Sequence, residues 1–300
     1  MDFLSNLIIG VSLGSVYAII ALGYTMVYGI AKMLNFAHGD VIMVGGYISF
    51  CGMMYLGLNS WVSLLLAMAV CTILGIIVEG LAYRPLRQAT SLAVLITAIG
   101  VSYLLQNTAL LVWGATPKVF SPLIPRENAA GAPNALTLFG GKLSVSYMSL
   151  LTMAACIVIM VGLTLFTANS KMGKAMRACS EDKDAARLMG INVNTTISVT
   201  FAIGSALAAV AGVLLCSYTT NLMPTTGSMP GIRAFTAAVF GGIGSIPGAF
   251  LGGLLIGVIE AMAQAYISTQ LANSVVFAVL IVVLLVRPAG LLGKYVPEKV

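Results

Sequence analysis

Seven uncharged stretches make up most of the chain: Phe3–Ala31, Val41–Val78, Gln88–Pro117, Leu143–Ser170, Leu188–Ile232, Ala234–Ile259 and Ala261–Val286. Each exceeds the roughly 20 residues that a helix needs to cross a hydrocarbon core. They are rich in Leu, Ile, Ala and Met, show no strict alternation, and are far longer than barrel strands. Lipid offers no partner for backbone N–H and C=O groups, so only helices or closed barrels span it. The pattern predicts helices at about 5–30, 41–57, 61–81, 91–113, 145–168, 194–217, 229–245, 247–268 and 271–286. The seventh carries Arg233 and several glycines, and is read as a broken or re-entrant segment. The expected fold is an all-α polytopic transmembrane bundle of eight or nine membrane segments in a single domain, 1–300.

Composition sharpens this. The chain is 59% hydrophobic and 8% charged, against about 25% charged in soluble domains, which excludes a soluble fold. The net charge of +6 does not mark a nucleic-acid surface, because the basic residues sit in short loops, the topology signal of membrane proteins. Loop 169–193 holds five Lys/Arg, the turn after the third span holds Arg84 and Arg87, and the C-terminal tail holds Arg287, Lys294 and Lys299. Placing these inside puts loop 114–144 outside, with Lys118, Arg126 and Lys142, and puts the N-terminus outside. An odd number of crossings follows, so 229–245 counts as one. The opening MDFLSNL has no basic residue before Lys32, and its apolar run is too long for a signal peptide; it reads as a retained span. The proline-rich loop 114–144 is expected to be an irregular lid or short hairpin. Cys51, Cys71, Cys156, Cys179 and Cys216 lack C-x-x-C spacing and read as small packing residues.

Against this oily background stands one polar island, Lys171–Gly190, in which eight of the chain's charges fall between Lys171 and Arg187. Ser180 is placed to cap a helix over 180–189, with Glu181 and Asp182 in the first turn, Arg187 in the last and Gly190 just beyond. Such a rod, about 14 Å long, joined to the fifth span by a basic arm of Lys171, Lys174 and Arg177, transmits force between two spans. The plainer alternative is a loop whose lysines only fix topology.

Other candidates are sparse. Glu260 is the only charge between Ala234 and Val286, and an ionisable residue at that depth is a functional candidate. It faces either an ion pair with Arg233, a partner subunit or a substrate ammonium. His38, the sole histidine, lies between Asn35 and Asp40 and reads as a hydrogen-bonded turn fixing spans one and two, not as a metal site. Gly244, Gly248, Gly252, Gly253 and Gly257 give small-residue spacing for close helix packing, within this chain or against a partner. The run Gly241–Pro247 reads as a break between helices, and a break at mid-depth can aim a helix N-terminus at an anionic group. Asn35, His38, Asp40, Gly242, Gly244, Ser245 and Glu260 are therefore the substrate-path candidates. Glu79 with Arg84 and Arg87 reads as an interfacial cluster. No Ser/His/Asp set, paired carboxylates, H-E-x-x-H or G-x-x-x-x-G-K-[ST] occurs, which argues against an intramembrane enzyme and leaves any ATP to another chain.

Three stretches carry a resemblance: Leu34–Asp40 (LNFAHGD), Met172–Cys179 (MGKAMRAC) and Phe235–Ala249 (FTAAVFGGIGSIPGA), with the closing Pro-Glu-Lys-Val. They are similar to the LivH-type permeases of bacterial high-affinity branched-chain amino acid ABC importers, over essentially the whole chain. Asp184-Ala185-Ala186-x-x-x-Gly190 resembles the E-A-A-x-x-x-G core of the coupling loop of such permeases, with aspartate for glutamate and without the I-x-L-P that often follows. The resemblance implies a coupling set of Arg177, Glu181, Asp182, Asp184, Ala185, Ala186, Arg187 and Gly190. It also implies a bacterial inner-membrane complex with a LivM-like second permease, two LivG/LivF-like ATP-binding subunits and a periplasmic amino-acid-binding protein. This chain would hold no cofactor, ATP and Mg being bound by the ATPase partners. The rival readings are an importer of urea or another small solute, and a stand-alone channel or secondary transporter.

Overall fold

The structure, a computed structural model, describes residues 2–127, 134–138 and 143–293. Lys142, Lys294, Lys299 and the closing Pro-Glu-Lys-Val lie outside the described residues. The described chain is almost wholly helical: α1 Asp2–Ala31, α2 His38–Met54, α3 Ser60–Val78, α4 Ser91–Trp113, α5 Tyr147–Asn169, α6 Lys171–Glu181, α7 Lys183–Leu188, α8 Val193–Thr219, α9 Ser228–Gly241, α10 Ile246–Tyr266 and α11 Ala272–Val286. Six are long and apolar enough to cross a membrane, α3 being counted with its extension to Leu86. That extension is a π turn, Glu79–Tyr83, followed by a 3-10 turn, Arg84–Leu86.

Burial separates the helices into a centre and a rim. α1 and α8 are largely enclosed, whereas α3, α4 and α5 turn most of their surface outward. α1 packs against α10, α8 and α9, and α8 in turn against α2 and α3. Loop 114–144 contributes two small antiparallel pairs on the face away from loop 169–193. β1 (Lys118–Val119) pairs with β4 (Asn221–Leu222), and β2 (Ala135–Leu138) pairs with β3 (Leu143–Ser146). The short-hairpin reading of that loop is therefore right for its described part.

Two helices start inside the layer. α1 ends at Lys32, which takes a left-handed φ of 57°, and residues 32–37 turn back without helical structure. The His38 ring at the start of α2 lies 4.6 Å from the Tyr24 ring. Tyr24 is seven residues before the end of α1, so α2 begins about 10 Å in from that end. α9 begins beside it, because Gly227 meets the Gly39 carbonyl so closely that a Cβ would clash. At 14 residues α9 reaches about 21 Å, and the turn before it, residues 223–227, links it to β4. The seventh segment is thus a broken crossing, a turn followed by a short helix. It also ends earlier than 229–245 suggests, since Gly242 leaves the helix with φ 104°.

The glycine spacing on α10 serves packing within this chain. A Cβ on Gly257 would lie 2.2 Å from Gly14 Cα, and one on Gly253 would lie 2.3 Å from Ala18 Cα, so α1 and α10 touch backbone to backbone. Gly257→Ala is expected to destabilise the purified protein by about 1–3 kcal/mol, the usual cost of overpacking, read as a lower unfolding temperature in detergent. An unchanged unfolding temperature would show that this contact is not close.

Candidate functional site

The polar island folds as two short helices. Ser170 caps α6, its hydroxyl accepting from Gly173 N at 2.8 Å, and α6 buries Gly173, Met176 and Cys179 on one side. Ser180 is no N-cap: it lies inside α6, and its hydroxyl donates to Arg177 O at 2.7 Å. The break falls at Asp182, in extended conformation at φ −150°. Its carboxylate accepts from Asp184 N at 2.8 Å and Ala185 N at 3.0 Å. A side chain that caps two orphan amides competes with continuing the helix, which is why one rod over 180–189 becomes α6 and α7. Those amides hold the Asp182 carboxyl below the usual carboxylate range. The cap's contribution is therefore present above pH about 4 and is lost only as pH falls through the depressed value.

α7 is pinned from beneath and open above. Ala186 is buried, and Gly190 ends the element at φ 81°. Asp184 and Arg187 pair across the exposed side at 3.0 Å, while Arg177 donates to Ala168 O at 3.0 Å in the arm from α5. Beyond them Leu188 and Met189 are 89% and 81% exposed, two large apolar side chains standing off the polar loop. Lys183 points the other way, donating from Nζ to Ala31 O at 2.7 Å. It thereby satisfies a carbonyl at the C-terminus of α1, where a cation is favoured.

A second network starts where the π turn meets α8. Glu79 pairs with Arg87 and accepts from Ser198 Oγ at 2.6 Å, while Arg87 donates to Asn194 Oδ1 at 2.5 Å. Tyr83 donates to Asn35 Oδ1 at 2.8 Å, tying the π turn to the re-entrant segment 32–37. From there the line leads to the junction of α2 and α9. Gln106 Nε2 donates to Asp40 Oδ1 at 2.9 Å and to Ser228 Oγ at 3.2 Å. The His38 ring wedges between Gly23 and Gly204, and its Nε2 has no hydrogen-bond partner. His38 does cap a turn, through its backbone N to Asn35 O at 3.2 Å, but its ring acts by packing. Tyr24, Phe36 and Phe235 close around it with ring centroids 4.6–5.7 Å apart.

A third group is buried between α1, α9, α10 and α11. Arg233 pairs with Glu260 at 2.7 Å, donates to the Tyr17 hydroxyl at 2.7 Å, and reaches Asn273 Oδ1 at 2.6 Å and 3.1 Å. Gln264 donates to Glu260 Oε1 at 3.0 Å.

A family model for the permease component of the branched-chain amino acid transport system matches residues 6–285. The chain belongs to that permease family. BraD, a high-affinity branched-chain amino acid transport permease of Pseudomonas aeruginosa, is 46% identical over 99% of this chain and 98% of its own. LivH of Escherichia coli K12, of the same description, is 44% identical over the same shares. A solved structure, PsaBC from Streptococcus pneumoniae in complex with Fab, aligns at a TM-score of 0.46 and 14% identity over 94% of this chain and 90% of its own; that likeness is too distant to carry an argument.

In this permease the residues singled out from sequence fall into separate places. Arg177, Glu181, Asp182, Asp184, Ala185, Ala186, Arg187 and Gly190 share the α6–α7 elbow. Asn35, His38 and Asp40 line the junction of the broken helices. Gly242, Gly244 and Ser245 form the α9–α10 turn, where Ser245 caps α10 and Gly242 abuts Gly293, so this break lies at the end of the layer and not at mid-depth. Glu260 stands apart with Arg233. Sequence reasoning missed Lys183 and the exposed pair Leu188 and Met189. The pair was visible as two apolar residues just inside the polar island, but it reads equally as the start of the next span.

Proposed function

We propose that this permease forms part of the membrane path of an ATP-driven importer of branched-chain amino acids in the bacterial inner membrane, and that the α6–α7 elbow is where separate ATP-binding subunits grip it. The observation that carries the second half is the pairing of opposite ends on α7: Leu188 and Met189 stand exposed on a charged loop, while Lys183 holds the end of α1. Burying each of those apolar side chains is worth about 1.5–3 kcal/mol, a sound basis for docking a partner. The first half draws on the names of the relatives, which are branched-chain amino acid permeases. The remaining partners would be a second, LivM-like permease and a periplasmic binding protein, with ATP and Mg held by the LivG/LivF-like subunits.

Non-helical backbone at membrane depth is tolerated only inside protein or against an aqueous cavity. Segments 32–37 and 223–227 are non-helical at that depth, and in this reading substrate would pass along the side of the bundle they form. The starts of α2 and α9 suit a carboxylate and Asp40 an ammonium, with apolar surface for the side chain between them.

Docking is tested by co-purification. Asp184→Lys, Gly190→Trp and Leu188→Asp/Met189→Asp are expected to insert normally but lose the ATP-binding subunits and uptake. Gly190→Trp would act partly through its left-handed backbone, which costs a non-glycine residue about 1–2 kcal/mol. Retention of the subunits by all three would refute the docking assignment.

A further inference from the structure

We propose that a hollow beside the elbow is a binding site for a phosphate-class anion, supplied by the headgroup of an anionic lipid. The hollow, about 450 Å³, lies between the Arg84–Gln88 corner, α7 and the first turn of α8. Four cations line it: Arg84, Arg87, Lys183 and Arg187. Two are answered, Arg87 by Glu79 and Arg187 by Asp184. Lys183 meets only the neutral Ala31 carbonyl, and Arg84 has no carboxylate or hydrogen-bond partner among the described residues. Asp184 also lines the hollow, but it is spent on Arg187, so two positive charges are left without a carboxylate among the described residues. Burial, and then the neighbouring cations Arg87 and Lys32, depress the Lys183 ammonium below its usual range, so these charges repel one another. A bound dianion or monoanion would relieve that repulsion, and Arg84 carries the free fork that matches phosphate oxygens. Gln88 and Asn194 add neutral donors at the rim.

The surroundings favour lipid over a soluble anion. Ile73 and Ile77 on α3 and Leu81 in the π turn that extends it are 58%, 48% and 78% exposed, four residues apart, and exposed Arg84 follows. Acyl chains lying along that apolar strip would bring a headgroup to the hollow's mouth, the arrangement of basic pockets that hold anionic lipid on the cytoplasmic side.

The test uses the full-length permease purified with its partner subunits in mild detergent. Native mass spectrometry would compare added phosphatidylglycerol with phosphatidylcholine. One phosphatidylglycerol is expected to persist per chain over phosphatidylcholine, and Arg84→Gln, at an exposed and unpaired position, should weaken retention about fivefold without changing the unfolding temperature. Displacement of the lipid by inorganic phosphate would keep the site and assign it to a soluble anion; no displacement assigns it to lipid. Equal retention of the two lipids, indifference to Arg84→Gln, or a cross-link from position 84 to an acidic residue of an ATP-binding subunit with no lipid retained would overturn the proposal.

Discussion

Arg233→Met is expected to be the most damaging single substitution in the bundle, lowering stability by about 3–5 kcal/mol, the cost of removing one partner from a buried ion pair. The reason is what stays behind. Glu260 is 1% exposed, and without Arg233 its described partner is the Gln264 amide. Tyr17 and Asn273 would lose their donor as well. Arg233 also anchors α9 to α1, α10 and α11. Levels of inserted protein and its unfolding temperature in detergent are the readouts. The double variant Arg233→Met/Glu260→Met should recover most of the loss, since an apolar pair replacing a buried ionic one is often neutral. If the single variant accumulates and unfolds like the parent, the pair is not sealed inside the bundle. Uptake by the double variant then separates roles: recovery marks the pair as structural, whereas a stable but inactive protein returns Glu260 to the substrate path.

Lys183→Met is expected to separate ATP hydrolysis from transport. Lys183 is the direct contact from α7 to the end of α1, and α1 runs straight into the re-entrant segment that Tyr83 holds through Asn35. A hydrogen bond made by a charged group is worth about 1.5–3 kcal/mol, so loss of that contact should slow uptake at least about tenfold. Hydrolysis and co-purification of the ATP-binding subunits should stay near the parent level, because Leu188 and Met189 are untouched. Lys183→Arg, which keeps charge and reach, should restore most of the uptake. Equal falls in hydrolysis and uptake would place Lys183 in docking; no change in either would remove it from the line of force.

The fold was legible wherever hydropathy decides structure. The uncharged stretch after Arg87 predicts 91–113, and α4 spans Ser91–Trp113; α8 and α10 differ from expectation by one or two residues at each end. The re-entrant turn at 32–37 was hidden because Leu34, Phe36 and Ala37 are apolar whether they sit in a helix or in a loop packed at depth. Asp182 shows a different failure: a good first-turn residue in a helix starting at Ser180 is a still better cap for one starting at Lys183, and periodicity does not separate the two. Arg233 with Glu260 was within reach because each is an isolated charge with one credible partner. Lys183 with Ala31 was not. They lie 152 residues apart, and a backbone carbonyl has no sequence signature. The glycines of α10 announced close packing, but which helix they met became clear only from Gly14 and Ala18 across the contact.

The most direct test of an externally driven permease is leucine uptake into proteoliposomes holding this chain with its partner permease, with and without the ATP-binding subunits, binding protein and ATP. Accumulation is predicted only in the complete, ATP-supplied set. Leucine equilibrating through the permeases alone would contradict the account.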